Sequence, residues 1–300
     1  YGDWSSDVCS SDLQNLPGLI FLRFPALINI RPDFVGWLLI SLIGTAASFD
    51  IAEAMAPPGD ADSLAYHFNA PKLFLKAGAI EFILRPLDGA IPYLVQMTYV
   101  PVLGLGGERA LTLWTMVSGW SSAGLLFILC RHHLSRNWSL AVTAIFFTTP
   151  VVVYAAGTGQ IEIRTTLFVM VGAWAIAKSL ETDKIAFTVL AGLVVGFYGG
   201  SKYIGLMFAL AGGLAILMQR RWLVHGLVYS FVAFVIGSQW YIWNAIHTGD
   251  PFFPMLFQWL GRDDLELWTK AHDLVFKDTF FLFDRPAPRN LFWLLYYPFA

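Results

Sequence analysis

The amino-acid sequence predicts an all-α membrane protein, built as a polytopic bundle of transmembrane helices. Hydrophobic residues make up 57% of the 300 positions and charged residues only 13%, whereas a soluble domain carries about 25% charged residues. Several apolar runs approach the roughly 20 residues that an α-helix needs to cross a bilayer. The 12 Trp, 11 Tyr and 25 Phe suit helices anchored at two membrane interfaces.

The apolar runs predict about seven or eight transmembrane helices. They cover residues 34–49, 110–130, 138–157, 165–180, 185–201, 203–219, 222–244 and 290–300. A further apolar run, 91–105, is short and contains Pro92 and Pro101. We predict that it is an interfacial or re-entrant helix. The first outer loop, residues 50–109, should therefore contain juxtamembrane helices.

The first residues are expected to be foreign to the fold. Residues 3–13 match, over eleven consecutive positions, the translation of a common sequencing-library adapter. We predict that residues 1–13 are a disordered artefact, and that residues 14–300 form a single transmembrane domain truncated at both ends. Cys9 then belongs to the artefact, and Cys130 alone supports neither a disulfide framework nor a cysteine metal site.

Basic residues of short connections predict the orientation. The predicted spans place four pairs of basic residues on one side, namely Arg23 and Arg31, Arg131 and Arg136, Lys178 and Lys184, and Arg220 and Arg221. If this side is cytoplasmic, the spans alternate without conflict and the loop 50–109 faces outward.

Polar residues collect in four clusters, all on the predicted outer side. Such clusters mark candidate functional sites, because a charge is costly to bury in a membrane. The first cluster contains Asp60 and Asp62, followed by Tyr66, His67 and Lys72. Asp62 either acts as a functional carboxylate or caps the following helix, and the two interpretations are compatible. His67 alone is more typical of a packing residue than of a catalyst.

The other three clusters follow later spans. Glu162 and Arg164 form either a functional pair or a local interfacial ion pair. Lys202 and Tyr203 follow two glycines, so this helix junction suits a phosphate, or Lys202 is a snorkelling turn lysine. The fourth cluster, residues 239–254 with Asn244, is either a functional element or an aromatic belt that ends in a Gly-Asp-Pro turn.

The sequence lacks the features that are typical of several other classes of protein. The net charge of −2 gives no electrostatic footprint for nucleic acid. The sequence contains no Walker loop and no Gly-x-Gly-x-x-Gly segment between a strand and a helix. It also offers no His-x-x-x-His or Cys pair for a transition metal and no repeat of 20–50 residues.

In this order the clusters resemble the bacterial GT-C membrane glycosyltransferases, which are related to protein mannosyltransferases and to the aminoarabinose transferase of lipid A. The resemblance covers about residues 34–260. The family has an acidic outer-loop motif, a small-residue stretch with an acidic position, a Gly-Thr-Lys-Tyr-like element and an aromatic element ending in Thr-Gly-Asn-Pro. These elements are matched by residues 60–78, 157–162, 200–203 and 239–254.

The chain departs from the family pattern at four positions. Glu162 stands for a usual Asp, Gln239 for Pro, Trp243 for Arg and Asp250 for Asn. Loss of the Arg either weakens donor binding or shifts that role to Arg164 or Lys202.

The resemblance implies transfer of a hexose or pentose from a polyprenyl-phosphate-linked donor to a lipid, protein or glycan acceptor, with inversion. Asp62 would be the general base, and Glu162 would orient the acceptor or help to hold a divalent cation. Arg164 and Lys202 would bind the phosphate. The remaining residues that the resemblance assigns to substrate binding are Asp60, Tyr66, His67, Lys72, Tyr203 and Asn244. The site would lie on the periplasmic or extracellular face of a bacterial plasma (inner) membrane.

The alternative function is that of a transporter or lipid flippase. Such proteins place charged residues near the bilayer midplane, often on broken helices related by inverted repeats. The polar clusters here fall on one side and no repeat is visible, which favours an enzyme.

Overall fold

The computed structural model describes residues 32–85 and 89–262, together with His272 and Val275. Within these residues the regular structure is entirely helical, with no β-strand, which confirms the predicted all-α bundle. The predicted artefact at residues 1–13, the predicted span 290–300 and the basic residues Arg23 and Arg31 lie outside the described residues.

The described chain contains twelve α-helices and one π-helix. In chain order they are α1 (Phe34–Met55), the π-helix (Ser63–His67), α2 (Asn69–Ala77), α3 (Leu94–Met97), α4 (Tyr99–Arg131), α5 (Arg136–Phe147), α6 (Pro150–Gly157), α7 (Glu162–Thr182), α8 (Ile185–Gly199), α9 (Ile204–Ile216), α10 (Trp222–Gly237), α11 (Gln239–Thr248) and α12 (Phe257–Leu260).

The long helices run up and down, so that the polar clusters meet at one end of the bundle. We call this the site end; the start of α7 and the end of α8 lie there, joined by an ion pair between Glu162 and Lys202. At the other end, here called the opposite end, Asn137 Nδ2 donates to Asp33 Oδ2 at 2.8 Å and joins the starts of α5 and α1.

Helices α7, α8 and α10 pack closely around a core of Ala191, Val195 and Tyr229. Glycines spaced four residues apart on α8 allow the close approach to α10. A Cβ atom on Gly196 would lie 2.5 Å from the carbonyl oxygen of Ala233. Small residues at this spacing are typical of helix contacts in membranes.

A polar network around the buried His225 ties the opposite end together. His225 lies between Thr188, whose Oγ1 is 2.6 Å from Nδ1, and Asp183, whose Oδ1 is 2.9 Å from Nε2. Arg221 Nε donates to the other Asp183 oxygen at 2.9 Å. This network connects the α7–α8 turn to the α9–α10 turn and so fixes how α7 and α8 reach the site end.

Within the described residues, three helices are long and apolar enough to cross a membrane: α1, α4 and α7. Two bent pairs, α5 with α6 and α10 with α11, raise the number to five if each pair counts as one span. Helices α8 and α9 are apolar but have only 15 and 13 residues, fewer than the roughly 20 of a straight crossing. The described residues thus contain fewer spans than the seven predicted for this part of the chain, because apolar runs do not reveal where helices end.

Two predicted spans are bent rather than continuous. The run 138–157 turns by 68° before Pro150, and the run 222–244 turns by 52° at Ser238. Pro150 is the first residue of α6, where its missing N–H costs no helical hydrogen bond. Its ring lets a new helix begin in a new direction.

The predicted first outer loop, residues 50–109, is largely helical. Helix α1 continues to Met55, and α4 already begins at Tyr99. The segment 91–105, predicted as one interfacial or re-entrant helix, is divided between the short α3 and the first part of α4. Helix α4 is kinked at Gly107, where φ is 69°, a conformation that glycine adopts without strain.

Candidate active site

The two aspartates of the first cluster have different surroundings. Asp60 Oδ1 accepts a hydrogen bond from the N–H of Ser63 at 2.8 Å and so caps the π-helix. Asp62 stands immediately before that helix, makes no capping hydrogen bond and is exposed. The interpretation of Asp62 as a helix cap is therefore wrong, because Asp60 performs this role. The Asp62 carboxylate stays accessible from solvent.

The π-helix turns consecutive side chains inward. The N–H of Phe68 donates to the carbonyl of Ser63 at 2.9 Å, which closes a turn one residue wider than an α-helical turn. Such turns are frequent at functional sites. Ser63, His67 and Phe68 are buried, and the rings of Tyr66 and His67 lie 4.0 Å apart.

Gly159 connects this segment to the turn before α7. Its N–H donates to Ser63 Oγ at 2.7 Å, and its carbonyl accepts from Tyr99 Oη at 3.3 Å and from Arg164 Nη2 at 3.1 Å. A Cβ atom here would lie 2.5 Å from Ser63 Oγ and 2.6 Å from Phe68 Cε1. The close approach therefore requires glycine.

Arg164 is a buried cation without a carboxylate partner among the described residues. Its side chain is held by the carbonyls of Gly159 and Gln160 and by the ring of Tyr99, 4.9 Å from the guanidinium carbon. Nε and Nη1 have no hydrogen-bond partner within the described part of the chain. A buried charge in this state is costly, so the guanidinium is suited to bind an anion.

Glu162 pairs with Lys202 rather than with the neighbouring Arg164. The ion pair connects the start of α7 to the α8–α9 junction, and its side chains are 48% and 42% exposed. Exposed pairs of this kind contribute only about 0–1 kcal/mol. A bound anion can therefore compete with Glu162 for Lys202.

His67 is neutral and is held by Gln96. Gln96 Nε2 lies 2.9 Å from His67 Nδ1, and both side chains are buried. Burial, together with the positive charges of Arg164 and Lys202, lowers the pKa of His67 to about 3. The imidazole of His67 is therefore an uncharged polar group, and Arg164 and Lys202 both disfavour its protonated form.

Tyr203 and Asn244 anchor the fourth cluster. Tyr203 Oη donates to the carbonyl of Phe253 at 2.7 Å, and Asn244 Nδ2 donates to Tyr203 Oη at 3.3 Å. The buried Asp250 accepts from the backbone N–H groups two and six residues further on, at 2.7 and 2.9 Å. Burial raises the pKa of Asp250, and these two bonds partly offset the effect. The segment after α11 is thereby fixed beside the α8–α9 junction.

Lys72 has a different environment from the other predicted site residues. It forms an ion pair with Glu108 of α4, and both side chains are substantially exposed. Among the described residues, Lys72 therefore pairs with Glu108 and not with Glu162, the acid next to Arg164.

Sequence reasoning missed several residues that build the site. Ser63, Gln96, Tyr99 and Gly159 hold the first cluster against the start of α7. Gly159 lies in a recognised small-residue stretch, but Gln96 and Tyr99 lie in an apolar run that showed only helical character.

Two further acids were also missed, because the first span was predicted to end before them. Asp50 is fully buried in α1, and its Oδ2 accepts from Trp120 Nε1 at 3.0 Å. Glu53 follows one turn later and packs against Gly157. The last two turns of α1 therefore carry two acidic residues, and Asp60 follows shortly after the end of this helix.

A groove of two adjoining cavities runs along the surface of the apolar helices α8, α9 and α10. The cavities have volumes of about 440 and 280 Å³ and share Ala209 and Ala233. Their walls are mainly apolar. The smaller cavity reaches Gly199 and Tyr241. The Oη of Tyr241 donates to the Gly199 carbonyl at 2.6 Å. The groove thus ends beside the junction that carries Lys202.

No group of three or more His, Cys, Asp or Glu side chains is arranged to hold a metal ion within the described residues. The carboxylates of Glu162 and Asp60 are instead engaged by Lys202 and by a backbone N–H.

A helical membrane bundle with a charged, partly buried site at one end fits a membrane-embedded transferase. The model of glycosyltransferase family 87 matches residues 94–270, more than half of the chain. The protein belongs to glycosyltransferase family 87 and is a membrane glycosyltransferase rather than a transporter. The matched region contains Glu162, Arg164 and Lys202 and begins after Asp60 and Asp62. No curated protein and no solved structure matches the chain.

Proposed function

We propose that the protein transfers a sugar from a polyprenyl-phosphate-linked donor to an acceptor hydroxyl at the outer face of a bacterial plasma membrane. The observation that carries this proposal is the buried guanidinium of Arg164, whose Nε and Nη1 have no partner among the described residues. Guanidinium groups bind phosphate with two parallel hydrogen bonds. Lys202 supplies a second cation at the same end of the bundle.

The proposed reaction is a single displacement with inversion at the anomeric carbon. The acceptor oxygen forms a bond to this carbon while the bond from the carbon to the phosphate oxygen breaks. The acceptor proton passes to a carboxylate, and the electron pair leaves with the polyprenyl phosphate. Asp62 suits the role of base because it is exposed and not engaged in capping. Arg164 and Lys202 stabilise the negative charge of the leaving phosphate.

The apolar groove supports a lipid-linked donor. It lies on the apolar helices α8, α9 and α10 and ends beside the Lys202 junction. A prenyl chain in this groove would bury apolar surface while its phosphate reached the polar site. A water-soluble nucleotide sugar would make no use of such a groove.

The test is sugar transfer by the purified protein in lipid nanodiscs. Radiolabelled polyprenyl-phosphate hexoses and pentoses serve as donors, and bacterial membrane extract serves as the source of acceptors. We expect Asp62→Asn to fold normally and to lose about 100-fold or more of the transfer rate, because the amide cannot accept the proton. Glu81→Gln makes the same charge change at an exposed position of the same outer segment and should keep full activity.

Two results would contradict the proposal. One is full activity of Asp62→Asn, which would remove this carboxylate from the chemistry. The other is a wild-type protein that ignores all lipid-linked donors but uses nucleotide sugars.

A further inference from the structure

The contact between Gln96 and His67 joins two buried side chains that the proposed mechanism has not used. Gln96 is 1% exposed and His67 2% exposed, and Nε2 of the amide lies 2.9 Å from Nδ1 of the ring. The residues are 29 positions apart in the chain. Gln96 lies on the short α3, immediately before Tyr99 and α4.

The chemistry of the two groups determines where the proton of the imidazole lies. A neutral imidazole has one N–H donor and one acceptor nitrogen, whereas the NH₂ group of an amide can only donate. The ring is neutral because burial and the two cations lower its pKa to about 3. With the amide oriented as in the structure, Nε2 of Gln96 donates to Nδ1 and the ring proton is on Nε2, while Oε1 of Gln96 has no hydrogen-bond partner among the described residues.

A neutral donor suits this place better than a third cation. Arg164 and Lys202 already bring two positive charges, and both disfavour a charged His67. A sugar phosphodiester has two non-bridging oxygens, and a third oxygen gains charge as the bond to the sugar breaks. A donor aimed at this oxygen stabilises the transition state more than the bound donor substrate.

We propose that Gln96 is a positioning residue that holds His67 as the Nε2–H tautomer, and that His67 donates this hydrogen bond to the phosphate held by Arg164 and Lys202. The identity of the anion rests on the proposed function. The assignment of the tautomer rests on the Gln96–His67 contact and on the neutrality of the buried ring, and not on the identity of the anion.

The tautomer is measured by ¹⁵N NMR of histidine-labelled full-length protein in nanodiscs, with His67→Gln identifying the resonance. In the wild type we expect a protonated Nε2 and an unprotonated Nδ1 at neutral pH. In Gln96→Glu the nearly isosteric carboxylate can only accept, so we expect a proton on Nδ1. Inorganic phosphate should shift the wild-type Nε2 signal, and this shift should be lost in Arg164→Gln.

Kinetics separate this role from a merely structural one. We expect Gln96→Glu to lower kcat by about 10- to 100-fold with KM changed by less than about threefold, because the lost interaction forms mainly in the transition state. Thr182→Glu introduces the same charge at an exposed position at the end of α7, away from the site end, and should leave both constants unchanged.

A wild-type proton on Nδ1, or full kcat in Gln96→Glu despite an altered tautomer, overturns the assignment. Absence of lipid-linked transfer by the wild type would instead overturn the proposed function. The tautomer and the response to phosphate would still decide the role of Gln96.

Discussion

Neighbouring residues of this protein acquire different roles from their surroundings. Asp60 and Asp62 are two positions apart, yet Asp60 is engaged by the N–H of Ser63 and Asp62 is exposed. Arg164 and Glu162 also lie two positions apart, and they do not pair with each other. The pattern of charges identifies such residues as candidates, but only their contacts separate a helix cap from a base or an ion pair from an anion site.

At this scale we predict that His67 makes stability depend on pH. In the unfolded chain histidine binds a proton below about pH 6.5, whereas in the folded protein burial and the cations lower the pKa of His67 to about 3. The unfolded state therefore binds more protons between these values. The free energy of unfolding should fall as the pH drops from about 6.5 towards 3, by up to about 1.4 kcal/mol per pH unit.

Thermal unfolding in detergent at several pH values measures this effect. His67→Gln should flatten the acid dependence, whereas His133→Gln, at an exposed position, should leave it unchanged. Equal pH profiles for wild type and His67→Gln would show that His67 has the same pKa in the folded and the unfolded protein.

At the scale of elements, glycine determines how closely segments approach. Gly196 brings α8 against α10, and Gly159 brings the π-helix against the turn before α7. The sequence identifies the stretch containing Gly159 as rich in small residues. The structure shows that this glycine packs against Ser63 and Phe68. The bends at Pro150 and Ser238 belong to the same scale, because each one redirects a helix that an apolar run had suggested to be continuous.

We predict that Gly159→Ala separates the acid motif from the start of α7. The added Cβ atom would meet Ser63 Oγ and Phe68 Cε1 at 2.5 and 2.6 Å, and both neighbours are buried. Overpacking of this kind costs about 1–3 kcal/mol. Transfer activity should fall as well, because the Gly159 carbonyl holds Arg164.

Gly124→Ala is the matched control. Gly124 lies within α4 with nothing within 4 Å of the added atom. Alanine should be neutral there or stabilise the helix by up to about 1 kcal/mol. A melting temperature of Gly159→Ala equal to that of Gly124→Ala would disprove the close contact.

At the scale of the whole molecule, the alternating helices place all four polar clusters at the site end. The distribution of basic residues predicts that this end faces outward and that the opposite end is cytoplasmic. The polar network around His225 then lies at the cytoplasmic end, where it holds the turns between α7 and α8 and between α9 and α10.

Cysteine labelling with an impermeant reagent in intact cells tests this orientation. The background carries Cys9→Ser and Cys130→Ser. Gly59→Cys lies at the site end, is exposed and has nothing within 4 Å of its Cβ position, so it should be labelled. Leu134→Cys, at a 40% exposed position of the α4–α5 turn, should react only after permeabilisation. Labelling of Leu134→Cys in intact cells would reverse the proposed topology.

The sequence by itself determined that this is a helical membrane protein, because hydropathy and the frequency of charge are properties of short stretches of chain. It also identified the polar segments as candidates, because a polar residue is conspicuous among apolar ones. Only the tertiary structure decided that Asp60 caps the π-helix, that Glu162 pairs with Lys202 and that Gln96 holds His67. These contacts join residues from 3 to 40 positions apart, and the bond from Gly159 to Ser63 spans 96 positions. The direction of each side chain depends on how the helices bend and pack, and local patterns carry no information about that.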